Sequence, residues 1–300
     1  MTSEAMSAIL LFGRDHALPD ADRVEDRRAT VEATLLGPLA PGTDSEGAPL
    51  GDRPALWIHP EGTSTTDGPI VLYLHGGAFE VGSPAAYQAF CSNLALRLDA
   101  TVVVPDYRLA PEHPFPAAVD DAFAAYRELL DRGRPASAIA LIGDSAGGGL
   151  VVSCLIAAWR AGLAQPAAAV GLSTWADLTL GVDSHRRCAD TDPFISSAML
   201  HRAAAHYLSG ADPTDPLASP LHAPSGELAG LAPLLLQAAA NEVLADDSSM
   251  LADRIAAAGG DVTLELCPEA FHVWHLAGDS IPESHDALNS LARFVRARWR

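Results

Sequence analysis

The hexapeptide Gly143-Asp144-Ser145-Ala146-Gly147-Gly148 follows an apolar run at 138–142 and precedes a helix-like stretch at 149–159. A serine on a sharp turn between strand and helix projects its hydroxyl above the edge of a parallel sheet. That hydroxyl is a poor nucleophile unless a base can reach it and no neighbouring side chain obstructs the substrate. Gly143 and Gly147 supply the room. Because a helix begins directly after Ser145, the Ala146 amide has no intrahelical acceptor and is free to donate to an anion forming beside the hydroxyl. A glycine-rich turn with a solvated serine shares the spacing, but not the strand before it or the helix after it.

The flanking sequence supplies a sheet for this turn. Residues 1–50 carry charge-rich stretches and a Pro/Gly-rich segment at 37–51, with only a weak strand signal at 33–36, and read as helical covering structure. From Pro54 the pattern changes. Residues 55–58 and 70–74 read as strands, joined by the turn-rich 60–69 into a hairpin. Helices at 85–98, 117–131 and 149–162 then alternate with strands at 101–104, 138–142 and 168–172, the mark of a parallel sheet covered on both faces. The period breaks over 175–221 around one helix at 197–208, an interruption long enough to be an inserted lid. It resumes with strands at 234–239 and 262–266 and helices at 248–258 and 283–298. The predicted organisation is therefore an α/β core at 51–174 and 222–300, with a discontinuous helical cap from 1–50 and 175–221.

Composition narrows the function classes. A net charge of −19 in 300 residues, with acids outnumbering bases two to one, argues against nucleic acid or an anionic membrane surface as partner. The start of the chain, 1–15, lacks the basic and cleavage-site features of a signal peptide, and no apolar run has the length of a membrane span. Cys91, Cys154, Cys188 and Cys267 are scattered, which suits a reducing cytoplasm and gives no metal spacing.

Acyl transfer by a serine needs a base, an acid that orients it, and donors for the oxyanion. His272 follows the last strand in Glu269-Ala-Phe-His-Val-Trp-His275, with His275 as its competitor. For the acid, Glu242 sits nearest the end of the 234–239 strand. Asp246 and Asp247 lie where acids favour a helix start whatever their function. The loop His75-Gly76-Gly77-Ala78-Phe79 follows an early strand, where glycines let backbone amides approach a developing charge.

Four blocks together are more specific than any one: His75-Gly76-Gly77-Ala78, the stretch Asp106-Tyr-Arg-Leu-Ala-Pro-Glu-His-Pro-Phe-Pro-Ala117, the elbow Gly143-Asp-Ser-Ala-Gly147, and the acid and histidine segments. In these the chain resembles the bacterial hormone-sensitive-lipase-like esterases of the α/β-hydrolase superfamily. The resemblance implies an α/β-hydrolase fold with a helical cap. It implies Ser145 as nucleophile, His272 as base and Glu242 as acid, with the amides of Gly76, Gly77 and Ala146 as the oxyanion hole. It gives supporting roles to His75, Asp144 and Glu112, the last within a block that buttresses the oxyanion loop. Two departures stand out: the family's third loop glycine is Ala78, and Asn241 replaces a frequent aspartate beside Glu242.

The expectation is a carboxylic ester hydrolase for small-molecule esters of short to medium acyl chains, working without cofactor or metal, with Phe79 and Trp175 as candidates for lining its pocket. An amidase, lactonase or acyltransferase would use the same residues, and a non-catalytic binder would keep the fold but lose part of the triad. The resemblance also suggests a homodimer through the last strand and the C-terminal helix.

Overall fold

The protein is described here by a computed structural model covering residues 2–15, 23–63 and 68–299. Helices α1 (Glu4–Asp15) and α2 (Val24–Leu35) come first, followed by strands β1 (Thr43–Gly47), β2 (Ala55–Pro60) and β3 (Ile70–Leu74). Then α3 (Pro84–Leu98), β4 (Thr101–Pro105), α4 (Ala117–Asp131), β5 (Ile139–Asp144), α5 (Ala146–Arg160) and β6 (Ala168–Leu172) alternate. The short α6 (Ser184–Arg187), α7 (Ser197–Leu208) and the short α8 (Ser225–Leu228) interrupt the alternation, and β7 (Leu234–Ala239), α9 (Ala245–Ala258), β8 (Val262–Cys267) and α10 (Pro282–Arg296) complete the chain.

The eight strands form one sheet in the order β1-β2-β4-β3-β5-β6-β7-β8. β2 runs antiparallel to both β1 and β4, and every pairing from β4 to β8 is parallel. Two local expectations fail here. β2 and β3 are not a hairpin, because β4 lies between them and pairs with both; the turn proposed at 60–69 lies partly outside the described residues. The Pro/Gly-rich segment carries β1, whose residues after Thr43 are all exposed, so no apolar alternation marks it; the weak strand signal at 33–36 falls instead at the end of α2.

Two-residue periodicity places the core on both faces. Ile70, Leu72 and Leu74 of β3 join Ile139 and Leu141 of β5 in a cluster with apolar residues of α4, α5 and α9. Val71 and Tyr73, with Ala140 and Ile142, face the other way onto α3 and α10. A strand buried on both faces reads as a continuous apolar run, as β3 does. Helix starts follow local chemistry: Ser83 caps α3 by accepting the Ala86 amide at 3.0 Å with Pro84 in the first turn, and Ser196 caps α7 through the Met199 amide at 3.1 Å. The consequence for function is that the loops after β3, β5, β6, β7 and β8 emerge on one edge of the sheet, where parallel α/β folds place ligands.

Candidate active site

Ser145 sits between β5 and α5 with φ 53° and ψ −122°, a left-handed conformation that a non-glycine residue adopts only where the surroundings enforce it. The enforcement is visible in the backbone. The Ser145 amide donates to the Leu172 carbonyl at 2.8 Å, and the Trp175 amide donates to the Ser145 carbonyl at 3.0 Å. The elbow glycines have a different reason from the one the sequence suggested. A Cβ on Gly147 would stand 2.0 Å from the Leu74 carbonyl oxygen, so glycine allows α5 to press against the end of β3 rather than leaving space for substrate.

The loops after β7 and β8 bring two partners to the serine. His272 Nε2 lies 3.0 Å from Ser145 Oγ, and His272 Nδ1 lies 3.1 Å from Glu242 Oε2. A carboxylate is an acceptor, so Nδ1 carries the proton and Nε2 is left to accept from the serine hydroxyl. Burial, the largest single influence on His272, disfavours its charged form. The hydrogen bond and charge of Glu242, with Asp192 and Asp144 beyond, more than reverse this, and the net effect raises its proton affinity above the ordinary histidine value. Burial pushes the Glu242 carboxyl upward, against the hydrogen bonds from His272 and Ser173.

The competing residues are engaged elsewhere. Asp247 is buried against His185 Nε2 at 2.6 Å and accepts the Ala176 and Asp177 amides, while Asp246 accepts the Ser184 amide and pairs with Arg187. His275 is fully buried with its ring 3.8 Å from that of Trp274, and burial lowers its pKa to about 3. Asn241 does more than remove a rival carboxylate: its side-chain amide donates to the Pro268 carbonyl at 2.9 Å and so ties the acid loop to the histidine loop.

The loop after β3 faces Ser145 from the other side. The Gly76 amide, expected as an oxyanion donor, instead donates to Asp144 Oδ1 at 2.9 Å. Tyr73 and Tyr87 hydroxyls also donate to this buried carboxylate, at 2.7 and 3.0 Å. Asp144 thus fixes the loop to the elbow, and a Cβ on Gly76 would fall 2.2 Å from Asp144 Oδ2. The Gly77 and Ala78 amides make no hydrogen bond among the described residues, and neither does that of Ala146 at the start of α5. The tightest loop positions are Gly76 and Gly77, whereas Ala78 carries its Cβ at φ 55°.

The supporting residues differ in what they support. His75 is buried with its ring stacked on Tyr107 at 4.3 Å, its Nδ1 donates to the Gly76 carbonyl at 2.8 Å, and burial lowers its pKa to about 4. The Tyr107 hydroxyl donates to the His75 carbonyl at 2.7 Å, so the Asp106–Ala117 block braces the loop through Tyr107. Glu112 lies at the surface in a two-point pair with Arg28 of α2, at 2.7 Å for each contact, which lowers its pKa to about 2. It therefore anchors α2 rather than touching the oxyanion loop.

Phe79 and Trp175 are both almost fully buried, with ring centroids 6.0 Å apart, and Phe79 stacks on Tyr207 of α7 at 3.8 Å with the planes 8° apart. Two contributors escaped the sequence reading. Asp192, in the segment between α6 and α7, accepts the amides of Phe194, Ile195 and, at 3.0 Å, Val243 beside Glu242. Ser173 at the end of β6 accepts the Val273 amide at 3.0 Å beside His272. Only their positions hinted at this, a polar residue just past a strand and an Asp-Pro pair in the insertion.

From the N-terminus, Met6 of α1 is buried among Ala270, Phe271, Trp274 and Ile281, and Ser3 donates to Glu283, so α1 packs on the histidine loop. Ser145 is 9% exposed and the His272 side chain 7%. Among the described residues, no group of three or more His, Cys, Asp or Glu side chains is arranged to hold a metal ion, and no helix is long and apolar enough to cross a membrane.

Comparison with known proteins places this geometry in context. A family defined by the α/β-hydrolase fold matches residues 71–276. An acetyl-hydrolase of Streptomyces hygroscopicus is 44% identical over 247 residues, covering 82% of this chain and 81% of that protein. An esterase of Acinetobacter venetianus is 33% identical over 227 residues, covering 75% of this chain and 74% of its own. The crystal structure of an esterase from the bacterial hormone-sensitive lipase family superposes with a TM-score of 0.93 at 38% identity over 100% of both chains.

Proposed function

The chain belongs to the α/β-hydrolase family, within it to the esterases of hormone-sensitive-lipase type, and is a carboxylic ester hydrolase; on that premise we propose that it works through an acyl-enzyme on Ser145 and prefers short acyl groups. His272 Nε2 accepts the serine proton as Oγ attacks the ester carbonyl. Glu242 holds the imidazole in the required tautomer and stabilises the imidazolium that forms. Negative charge gathering on the carbonyl oxygen meets the amides of Ala146, Gly77 and Ala78, none of which is committed to another acceptor among the described residues. Collapse of the tetrahedral intermediate passes the proton from His272 to the departing alkoxide and leaves the acyl group on Ser145. A water molecule, deprotonated by the same imidazole, then releases the acid by the reverse sequence.

The observation that carries this reading is the unbroken chain of contacts from Ser145 Oγ through His272 to Glu242, 3.0 and 3.1 Å, beside uncommitted amides on two loops. The preference for short acyl groups rests on the aromatic packing of Phe79, Tyr207 and Trp175 beside the loop after β3, together with the acetyl-hydrolase among the relatives. A screen of nitrophenyl esters of increasing chain length, with amides and lactones alongside and Ser145→Ala as the blank, tests both parts. Rates should peak at acetyl to butyryl esters and be on the order of 10⁴-fold lower or more in the variant. A maximum at long chains would remove the short-acyl preference, and ordinary turnover by Ser145→Ala would remove the acyl-enzyme.

A further inference from the structure

The turn that follows the oxyanion amides is gripped by both halves of the cap. Gly77 O accepts the amides of Glu80 and Val81 at 2.9 and 3.0 Å, closing residues 77–81 into one compact unit. Phe79 stacks on Tyr207, and its carbonyl accepts the Ala110 amide at 2.8 Å. The next residue, Glu80, is 2% exposed, and its carboxylate meets Arg27 of α2 at 2.9 Å and, from α7, Arg202 at 3.8 Å and the imidazole of His206. Arg28 of α2 adds a bond from its Nε to the Glu80 carbonyl at 2.8 Å. Consecutive residues of the turn thus meet consecutive residues of α7, while α2 holds the same turn by side chain and backbone.

We propose that Glu80 is a positioning residue: its carboxylate clasps α2 and α7 to the oxyanion turn, so that a closed cap and correctly aimed Gly77 and Ala78 amides are one state of the molecule. A carboxylate buried this deeply is costly unless paired, and the partners here are cations from two separate helices. Its tether therefore holds only when both helices are docked. The oxyanion amides lie two and three residues back in the same turn, and an error of about 1 Å in such donors costs on the order of 10²-fold in rate. No other carboxylate contacts both cap helices and this turn among the described residues, and the sequence pattern gave Glu80 no role.

This inference rests on the reading of Gly77 and Ala78 as oxyanion donors. The test compares wild type, Glu80→Gln and His206→Gln for kcat and KM on p-nitrophenyl acetate and for affinity toward phenylboronic acid, whose adduct with Ser145 places an oxygen where the oxyanion forms. Expected is a fall in kcat of about 10- to 100-fold in Glu80→Gln and a smaller one in His206→Gln. KM should stay within a few-fold, and boronate affinity should weaken in step with kcat. A role confined to stability would lower the melting temperature and leave kcat and boronate affinity of the folded variant intact, which would overturn the clasp. If Glu80→Gln does not fold, His206→Gln decides alone: unchanged kcat and boronate affinity overturn the proposal, and a matched loss supports it. Retained turnover by Ser145→Ala is a separate result that would overturn the catalytic reading beneath it.

Discussion

His272 is the residue at which proton affinity and rate meet. In the proposed mechanism its neutral form is the base, so activity should rise with pH as the imidazole loses its proton. Because Glu242, Asp192 and Asp144 raise that proton affinity against the effect of burial, the rising limb of kcat/KM should lie above the ordinary histidine value of about 6.5. Glu242→Gln removes the largest favourable contribution. It should shift the limb to lower pH while lowering kcat on the order of 10²-fold or more, and a pH–rate profile of the variant checks both. Asp144 gives a second expectation. Its carboxylate accepts from Tyr73, Tyr87 and the Gly76 amide, and Asp144→Asn would turn an amide NH2 toward donors. A loss of about 1–3 kcal/mol in denaturant unfolding, with lower kcat, is expected. At this scale Ser145, His272 and Glu242 could be singled out because each follows a strand end in a recognisable order, and the structure brings the three into contact at 3.0 and 3.1 Å. Asp192 and Ser173 were invisible, since they act through backbone amides of residues distant in sequence. The Gly76 amide was misjudged for a related reason: spacing identifies a loop but not which of its N–H groups a buried carboxylate has already taken.

At the level of elements, the close approach of β3 and α5 sets the geometry of the elbow. Gly147→Ala should destabilise by more than about 3 kcal/mol, because its Cβ meets backbone carbonyls of Leu74 and His75 that no side-chain rotation can relieve. Gly226→Ala in α8 meets nothing within 4 Å and should leave stability unchanged or raise it by less than about 1 kcal/mol. Urea titration of the pair separates a packing requirement from a general effect of replacing glycine. Helices and buried strands were legible in the sequence because each burial pattern is local: 3.6-residue spacing in α10, a continuous apolar run in β3. Pairing was not. β2 and β3 are neighbours in sequence but not in the sheet, since the order of parallel strands depends on crossovers that no local pattern records. β1 lacks an apolar alternation altogether and pairs by its backbone at the sheet margin.

For the whole molecule, α1 packs on the loop that carries His272, and α2 and α7 both meet the turn after β3 at Phe79 and Glu80. The opposite margin of the sheet is β8, which among the described residues pairs on one side only and exposes Leu266. An unpaired edge strand with an apolar residue is a surface for association. The homodimer that the family resemblance suggests would form there; if it does, it should appear as twice the chain mass in light scattering and dissociate in Leu266→Arg with the monomer still folded. The central claim, that Ser145 is the nucleophile of an acyl-enzyme, is tested most directly by titrating the protein with a fluorophosphonate and locating the adduct by peptide mass spectrometry. Turnover should vanish in proportion to a single adduct on the peptide carrying Ser145, and Ser145→Ala should take up none. Full inactivation with the adduct elsewhere, or undiminished ester hydrolysis by chains fully labelled at Ser145, would contradict it.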